Sequence, residues 1–333
     1  MATDGLRLTL RVGRAEHPLG DGRLVSLREG PNVRVAFDGA RALFAFGGAG
    51  GAWSVDAFAQ QTVDVTPGVL DDGRVDGEYS WGAFSMGRVR GLRLGGHSAR
   101  ADLFYVGYHT EAAFVRRRVV DSERHSLGVR VYAGPESEAW TADAEVIGQL
   151  GDAGGVPVRA LFARAGVGYR FRRAPLRPDI GLLVDVASGD RDPADAVVGS
   201  FEAVVPTNQI FGLRPVVGGV KNLIHVKPRL RAELPPTWGG IKLEASYAFF
   251  YRFTTADIAY GPGKNALAPE YEGPEPTARV TGQQLLLDAE YRLSRYTHLS
   301  LRYERWVPGA YFRTISSAAT PQDYYSATLL LRG

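Results

Sequence analysis

Polar and apolar positions alternate with period two over long stretches of this chain. In "IKLEASYAFFYRF" the odd residues Ile241, Leu243, Ala245, Tyr247, Phe249, Tyr251 and Phe253 are apolar. The even residues are Lys242, Glu244, Ser246 and Arg252, with Ala248 and Phe250 between them. The same alternation runs through "LRLTLRV" (6–12), "LFARAGVGYRFR" (161–172), "HVKPRLRAEL" (225–234) and "QLLLDAEYRLS" (284–294). Successive side chains of a strand point to opposite faces, so period two marks strands with one apolar and one polar face. At about 100° per residue a helix would smear these charges around its circumference, and no capped helical stripe competes.

The pattern predicts fourteen strands, near 6–13, 31–46, 52–63, 79–89, 100–109, 123–133, 138–150, 156–172, 177–187, 224–234, 240–253, 281–293, 296–306 and 323–332. Links after even-numbered strands are short, such as "GAGGA" (48–52), "GPES" (134–137) and "SR" (294–295). Links after odd-numbered strands are mostly long: 14–30, 64–78, 110–122, 188–223, 254–280 and 307–322, with 151–155 the exception. One end therefore has tight turns and the other large loops. That asymmetry, with an even strand count, predicts an all-β, up-and-down antiparallel transmembrane β-barrel with short periplasmic turns and long extracellular loops. About fourteen strands are expected, with 16–18 as the wider option, in one domain over 1–333.

Composition narrows the alternatives. There is no cysteine, hence no disulfide framework and no thiolate chemistry. The formal net charge is +3, and no Lys/Arg block marks a nucleic-acid arm. No run approaches the ~18–20 apolar residues of a membrane helix. "MATDGLRLTLRVG" holds no signal-peptide core, so an exported form is expected to have lost its signal. A soluble sandwich or lipocalin-like barrel would cover its apolar faces internally, with strands of ~5–6 residues. Here the strands run longer, and Tyr247-Phe249-Tyr251-Phe253, Tyr169-Phe171 and Tyr324-Tyr325 gather near strand ends. That placing suits the aromatic girdles of a membrane interface.

The stretch "VGRAEHPLGDGRLVSLREGPNVRVAFDGARALF" (12–44) resembles the N-terminal signature of the alginate-export family of outer-membrane barrels. The resemblance is carried by Gly13-Arg14, Gly20-Asp21-Gly22-Arg23-Leu24-Val25, Asn32-Val33 and Phe37-Asp38-Gly39-Ala40-Arg41. "WSVDAFAQQTV" (53–63) is similar to the family's next strand. "VASGDRDPADAVVGSFEAVVPTNQIFG" (186–212) and "KNL" (221–223) resemble its Ser-Gly-Asp loop and the Phe, Pro-Thr and Gly positions after that loop. The chain departs at Ala15, where the family has Gln, and lacks the Trp before Asn32. The resemblance implies passive passage of an anionic polysaccharide, or a related solute, through a positively charged constriction.

Parity assigns Arg7, Arg11, Arg130, Arg164, Arg170, Arg229, Arg231, Lys242, Arg252, Arg292 and Arg302 to the lumen. Asp56, Asp102, Asp143, Glu145, Asp185, Glu233, Glu244, Asp288, Glu290 and Glu304 share that face. Such pairs can be cross-strand ion pairs that only fix the barrel, and that reading covers more than half of them. The motif residues Arg14, Arg23, Arg34, Asp38 and Arg41 are the sharper pore candidates. Alternation breaks at Asp38-Gly39, which predicts a Gly-containing bulge. Phe250 is expected to point into the lumen and pack under the loop 254–280.

No cofactor and no catalytic residue is expected. Asp190, Asp192 and Asp195 offer oxygen ligands of the kind Ca²⁺ takes, but without the EF-hand pattern a solvated loop is the better reading. Parity puts His125 and Ser126 on opposite faces, against a catalytic pair. The expected partners are the bilayer and its lipopolysaccharide, an anionic polysaccharide or small anionic solute, and periplasmic export components. The expected location is the bacterial outer membrane. A general or sugar-specific porin is the runner-up, ahead of an outer-membrane enzyme or a soluble ligand-binding β-protein.

Overall fold

The computed structural model of the chain describes residues 5–27, 34–47, 53–66, 68, 71–94, 97–134, 139–205, 219–235, 237, 240–261, 271–316 and 319–331. The predicted turn at 48–52, most of that at 134–137 and the segment 206–218 lie outside them. The elements are β1 (Arg7–Ala15), β2 (Phe37–Phe46), β3 (Trp53–Asp64), β4 (Gly73–Leu94), β5 (His97–Val115), β6 (Arg118–Ala133) and β7 (Trp140–Ala153). Next come β8 (Val156–Arg170), β9 (Asp179–Ala187), β10 (Leu223–Glu233), β11 (Lys242–Tyr251), β12 (Val280–Arg292), β13 (Thr297–Pro308), α1 (Ala310–Ile315) and β14 (Gln322–Leu331). The strands form one 14-stranded sheet in which each pairs with its sequence neighbours, all antiparallel. This is an up-and-down meander. Among the described residues β1 and β14 are not hydrogen-bonded to each other, so the sheet has two open edges.

Three expectations change. The loop at 110–122 is absent: β5 and β6 run on to a two-residue turn at Arg116 and Arg117, both with positive φ (49° and 62°). Two left-handed residues in succession make the primed hairpin turn that matches strand twist, usually met with Gly or Asn. The bulge at Asp38-Gly39 is also absent, because β2 keeps continuous register with both neighbours from Phe37 to its end. Instead, Phe37 is buried with the interior residues and Asp38 takes the outer face. Gly39 stays a glycine because a Cβ there would come 2.3 Å from the Ala59 carbonyl oxygen. Finally, the 307–322 link contains the short helix α1.

The two faces are inverted relative to a water-soluble protein. Leu8, Leu10 and Val12 of β1, Leu127 of β6, Leu150 of β7, Leu161 of β8 and Ile180 of β9 are exposed, Val12 to 86%. A continuous apolar band of this kind marks a membrane surface. Aromatic residues edge it: Tyr79 stacks on Trp81 at 5.6 Å and on His109 at 4.7 Å toward the loop end. Trp140, Tyr169 and Phe171 make a second cluster at the turn end. Leu161 lies level with Tyr105 through Gly148 and Leu127. From that level to Tyr169 run eight residues, about 26 Å along the strand and about 20 Å in height at the ~35–45° tilt of barrel strands, within the ~25 Å apolar band of outer-membrane barrels. Among the described residues no helix is long and apolar enough to cross a membrane.

Candidate functional site

The interior has two halves. Toward the turns lies a cavity of about 1210 Å³. Its wall carries Arg164 and Arg170 of β8, Lys227, Arg229 and Arg231 of β10, Lys242 of β11 and Arg302 of β13. Arg177 comes from the β8–β9 turn and Arg23 from the β1–β2 loop. Nine cations thus face six carboxylates: Asp21, Asp179, Glu233, Glu244, Asp288 and Glu290. Several pair across the sheet. Arg231 Nε donates to Glu244 Oε2 at 2.5 Å and Arg302 Nε to Asp288 Oδ2 at 2.5 Å. Asp179 sits between Arg170 (3.5 Å) and Arg229 (3.6 Å).

The loop-side half is packed. Phe58, Phe84, Phe104, Phe162 and Phe250, all pointing inward from the wall, are buried in one cluster with Leu19, Leu24 and Val25 of the β1–β2 loop. Phe201, Ala203 and Val205 of the β9–β10 loop complete it. The two loops join by backbone bonds: Ser26 N–H donates to Val205 O at 2.8 Å, and Val205 N–H to Leu24 O at 3.0 Å. Phe250 points inward and packs on His225 (5.0 Å) and Trp306 (5.3 Å). Trp306 in turn meets Phe312 of α1 at 6.0 Å.

Charged clips anchor the loops to the wall. In "GDGRL", positive φ at Gly20 (57°) and Gly22 (78°) turns the chain so that Asp21 and Arg23 reach two adjacent strands, where Arg164 of β8 and Asp185 of β9 are cross-strand partners. Asp21 pairs with Arg164. Arg23, 4% exposed, donates from Nε to Asp185 Oδ1 at 3.1 Å, and His225 Nδ1 lies 2.9 Å from Asp185 Oδ2. His17 bridges Gln60 (2.6 Å) and Asp56 (3.2 Å), and Asp56 also receives Arg41. In the β9–β10 loop Lys221 Nζ donates to Glu202 Oε2 at 2.7 Å and to Phe114 O at 2.8 Å. Burial pulls the Lys221 ammonium pKa down while the Glu202 carboxylate opposes that shift.

The predicted residues divide accordingly. Arg164, Arg170, Arg229, Arg231, Lys242 and Arg302 come together in the turn-side cavity, and Arg23 closes its inner end. Arg130 joins through Asp143, with bonds of 3.0 and 2.6 Å. Arg41 and Asp56 hold the β1–β2 loop. Arg14 and Asp38 do not reach the interior: they pair at 2.9 Å on the outer rim, with Arg74 and Asp72 beside them. Arg34 pairs with Glu16 at 3.3 Å in an exposed position. Arg7 and Arg11 lie exposed on the edge strand β1. Arg252 is wholly buried and donates to carbonyls of the β11–β12 loop, including Ala278 at 2.7 Å and Asp257 at 2.9 Å. The Asp190–Asp195 loop embraces a guanidinium: Arg116 donates to Asp190 Oδ2 (2.7 Å), Asp195 Oδ1 (3.1 Å) and Val197 O (2.8 Å). Ser126 bonds Gln149 inside the wall, whereas His125 faces outward to Tyr105.

Lys227, Arg177 and Asp21 join the cavity without being sequence candidates for it. Lys227 stands in the alternating run 225–234, whose parity places it inward. Arg177 sits in a turn with positive φ (42°), where alternation gives no direction.

Comparisons agree with this architecture. The family profile described as alginate export matches residues 2–325. Among solved structures, the chain is similar to Pseudomonas aeruginosa OccK11 (OpdR), at TM-score 0.56 and 14% identity. The superposition covers 98% of this chain and 78% of that one, and the shared fold is the outer-membrane β-barrel. No curated protein matches.

Proposed function

The chain belongs to the alginate-export family, and from that premise we propose a passive outer-membrane pore whose turn-side vestibule gathers anionic polysaccharide or anionic solutes. The observation that carries this is the excess of cations in the cavity, nine against six carboxylates, beside an apolar wall. A low-dielectric wall lined mainly by one sign of charge focuses the field and raises the local concentration of counter-ions. Guanidinium groups hold carboxylates bidentately and stay charged at any working pH.

In this reading the turns face the periplasm and the long loops face outward. Periplasmic export components would then present an anionic chain to the basic end. The pairs Arg231–Glu244 and Arg302–Asp288 keep individual sites shallow, so an anion exchanges along the wall instead of binding tightly.

Planar-bilayer recording tests the proposal. Under a salt gradient the reversal potential is expected to show preference for the anion. The triple variant Arg164→Gln/Arg229→Gln/Arg231→Gln should shift it toward zero. A cation-selective wild type, or a triple variant with unchanged selectivity, overturns the reading.

A further inference from the structure

The outer face carries a feature that the pore does not use. A groove of about 940 Å³ runs along β6, β7 and β8, beside the β9–β10 loop. Its floor is Gly148, where an added Cβ would meet nothing within 4 Å. Its walls are Leu127, Leu150 and Leu161, exposed to 63%, 63% and 51%. The groove exists because one outward position of β7 has no side chain.

The polar groups are confined to one end. Leu127, Gly148 and Leu161 form one cross-strand row, and His125, Leu150 and Arg159 form the row two residues nearer the loops. Two residues at ~3.3 Å place the rows about 7 Å apart along the strands. Above them Arg191 reaches over from the β9–β10 loop, its guanidinium 5.0 Å from the Phe253 ring centroid. Among the described residues neither Arg159 nor Arg191 is paired with a carboxylate. Two acids, Asp190 and Asp195, also line the groove, and Arg116 pairs with both; Glu123 lies 3.2 Å from His125.

Cations above and a leucine trough below match one kind of occupant, a lipid with an anionic head and an acyl chain. We propose that this groove binds a phosphorylated, acylated glycolipid of the outer leaflet, its phosphate between Arg159 and Arg191 and one acyl chain over Gly148. The inference rests on the outer-membrane placement with the long loops outside, since the cationic row lies at the loop end. A basic side chain near an anionic lipid surface contributes about fivefold in affinity, hence roughly thirtyfold for two. The apolar trough adds preference for a chain that lies against the protein over one that is free in the bilayer.

The test uses the full chain in detergent, titrated with diphosphoryl lipid A, phosphatidylglycerol or phosphatidylethanolamine, with adducts counted by native mass spectrometry. Lipid A is expected to bind at roughly thirtyfold lower concentration than phosphatidylethanolamine. Arg159→Gln/Arg191→Gln should abolish that preference, and Gly148→Leu should block the adduct by filling the floor. Both changes lie on the outer face, so conductance steps should persist and certify folding. Equal binding of phosphatidylglycerol would assign the groove to an ordinary anionic phospholipid and overturn the proposal. Undiminished lipid A binding by either variant would overturn the site. Failure here leaves anion selectivity measurable and intact, so the two readings fail separately.

Discussion

The Arg23 clip can be tested quantitatively, because the chain contains no cysteine and a single introduced thiol reports cleanly. Leu24 is 4% exposed in the cluster beneath the loops, so Leu24→Cys labels with maleimide only when the β1–β2 loop lifts. Arg23→Met removes the guanidinium from Asp185, itself 2% exposed, and leaves that carboxylate with His225. Breaking a buried pair by deleting one partner costs about 3–5 kcal/mol. The retained 2.9 Å contact to His225 places the effect at the low end. At about 1.4 kcal/mol per tenfold, the open fraction and the labelling rate should rise about a hundredfold, provided reclosing outpaces labelling. Removing both charges with Arg23→Met/Asp185→Leu should reverse only part of that increase, since it removes the unpaired carboxylate but leaves buried His225 without its Asp185 partner. A rate in Arg23→Met within about threefold of the parent, the size of an ordinary surface substitution, would refute the view that this pair holds the loop.

Two further expectations use the same logic. Asn222 has φ of +48°, and its Nδ2 donates to Thr254 O (3.1 Å), Asp257 O (3.0 Å) and Ile258 O (2.9 Å), tying the β9–β10 loop to the β11–β12 loop. Asn222→Ala should weaken that junction by about 2–3 kcal/mol and speed tryptic cleavage of both loops, while Asn222→Gly should recover only the backbone part; equal cleavage in all three proteins would remove the junction's role. Separately, in lipid the unpaired edges of β1 and β14 must bond each other, so Val12→Cys combined in turn with Ala327→Cys, Leu329→Cys or Leu331→Cys should give one intramolecular disulfide in membranes, and purely intermolecular cross-links would argue against closure by this pair.

Most of the wall is legible in the sequence because each strand's two solvents differ. Alternation at 225–234 or 284–294 reports lipid on one side and a polar interior on the other, and all fourteen strands overlap the segments that this pattern marks. Local backbone geometry without a residue signature is what escapes it. Arg116 and Arg117 adopt left-handed φ with no glycine to announce it, so the sequence pattern there suggests a long loop where a hairpin forms. Helix α1 starts at Gly309 with no side-chain cap bond, and six residues give no helical period. The interior clips are invisible for a different reason. Arg23 meets Asp185 across 162 residues, and nothing within "GDGRL" names its partner.

Phe37 shows why the break at Asp38 mimics a bulge. Parity reasoning assumes that inward means wet, but much of the loop-side interior is packed with apolar side chains, among them Leu19, Leu24 and Phe201. There Phe37, Phe58, Phe84 and Phe104 are buried inward in the positions that carry charge lower on the wall. The alternation does not break; the medium inside the barrel changes with depth. Under the proposed function, an anion entering the basic turn-side cavity would meet, at Asp21 and Arg23, the boundary where charged wall gives way to packed aromatic side chains. Carrying an ion into that layer costs several kcal/mol of desolvation. If conduction requires the two loops to lift together, the labelling rate at Leu24→Cys and the open probability of the pore should rise in the same proportion.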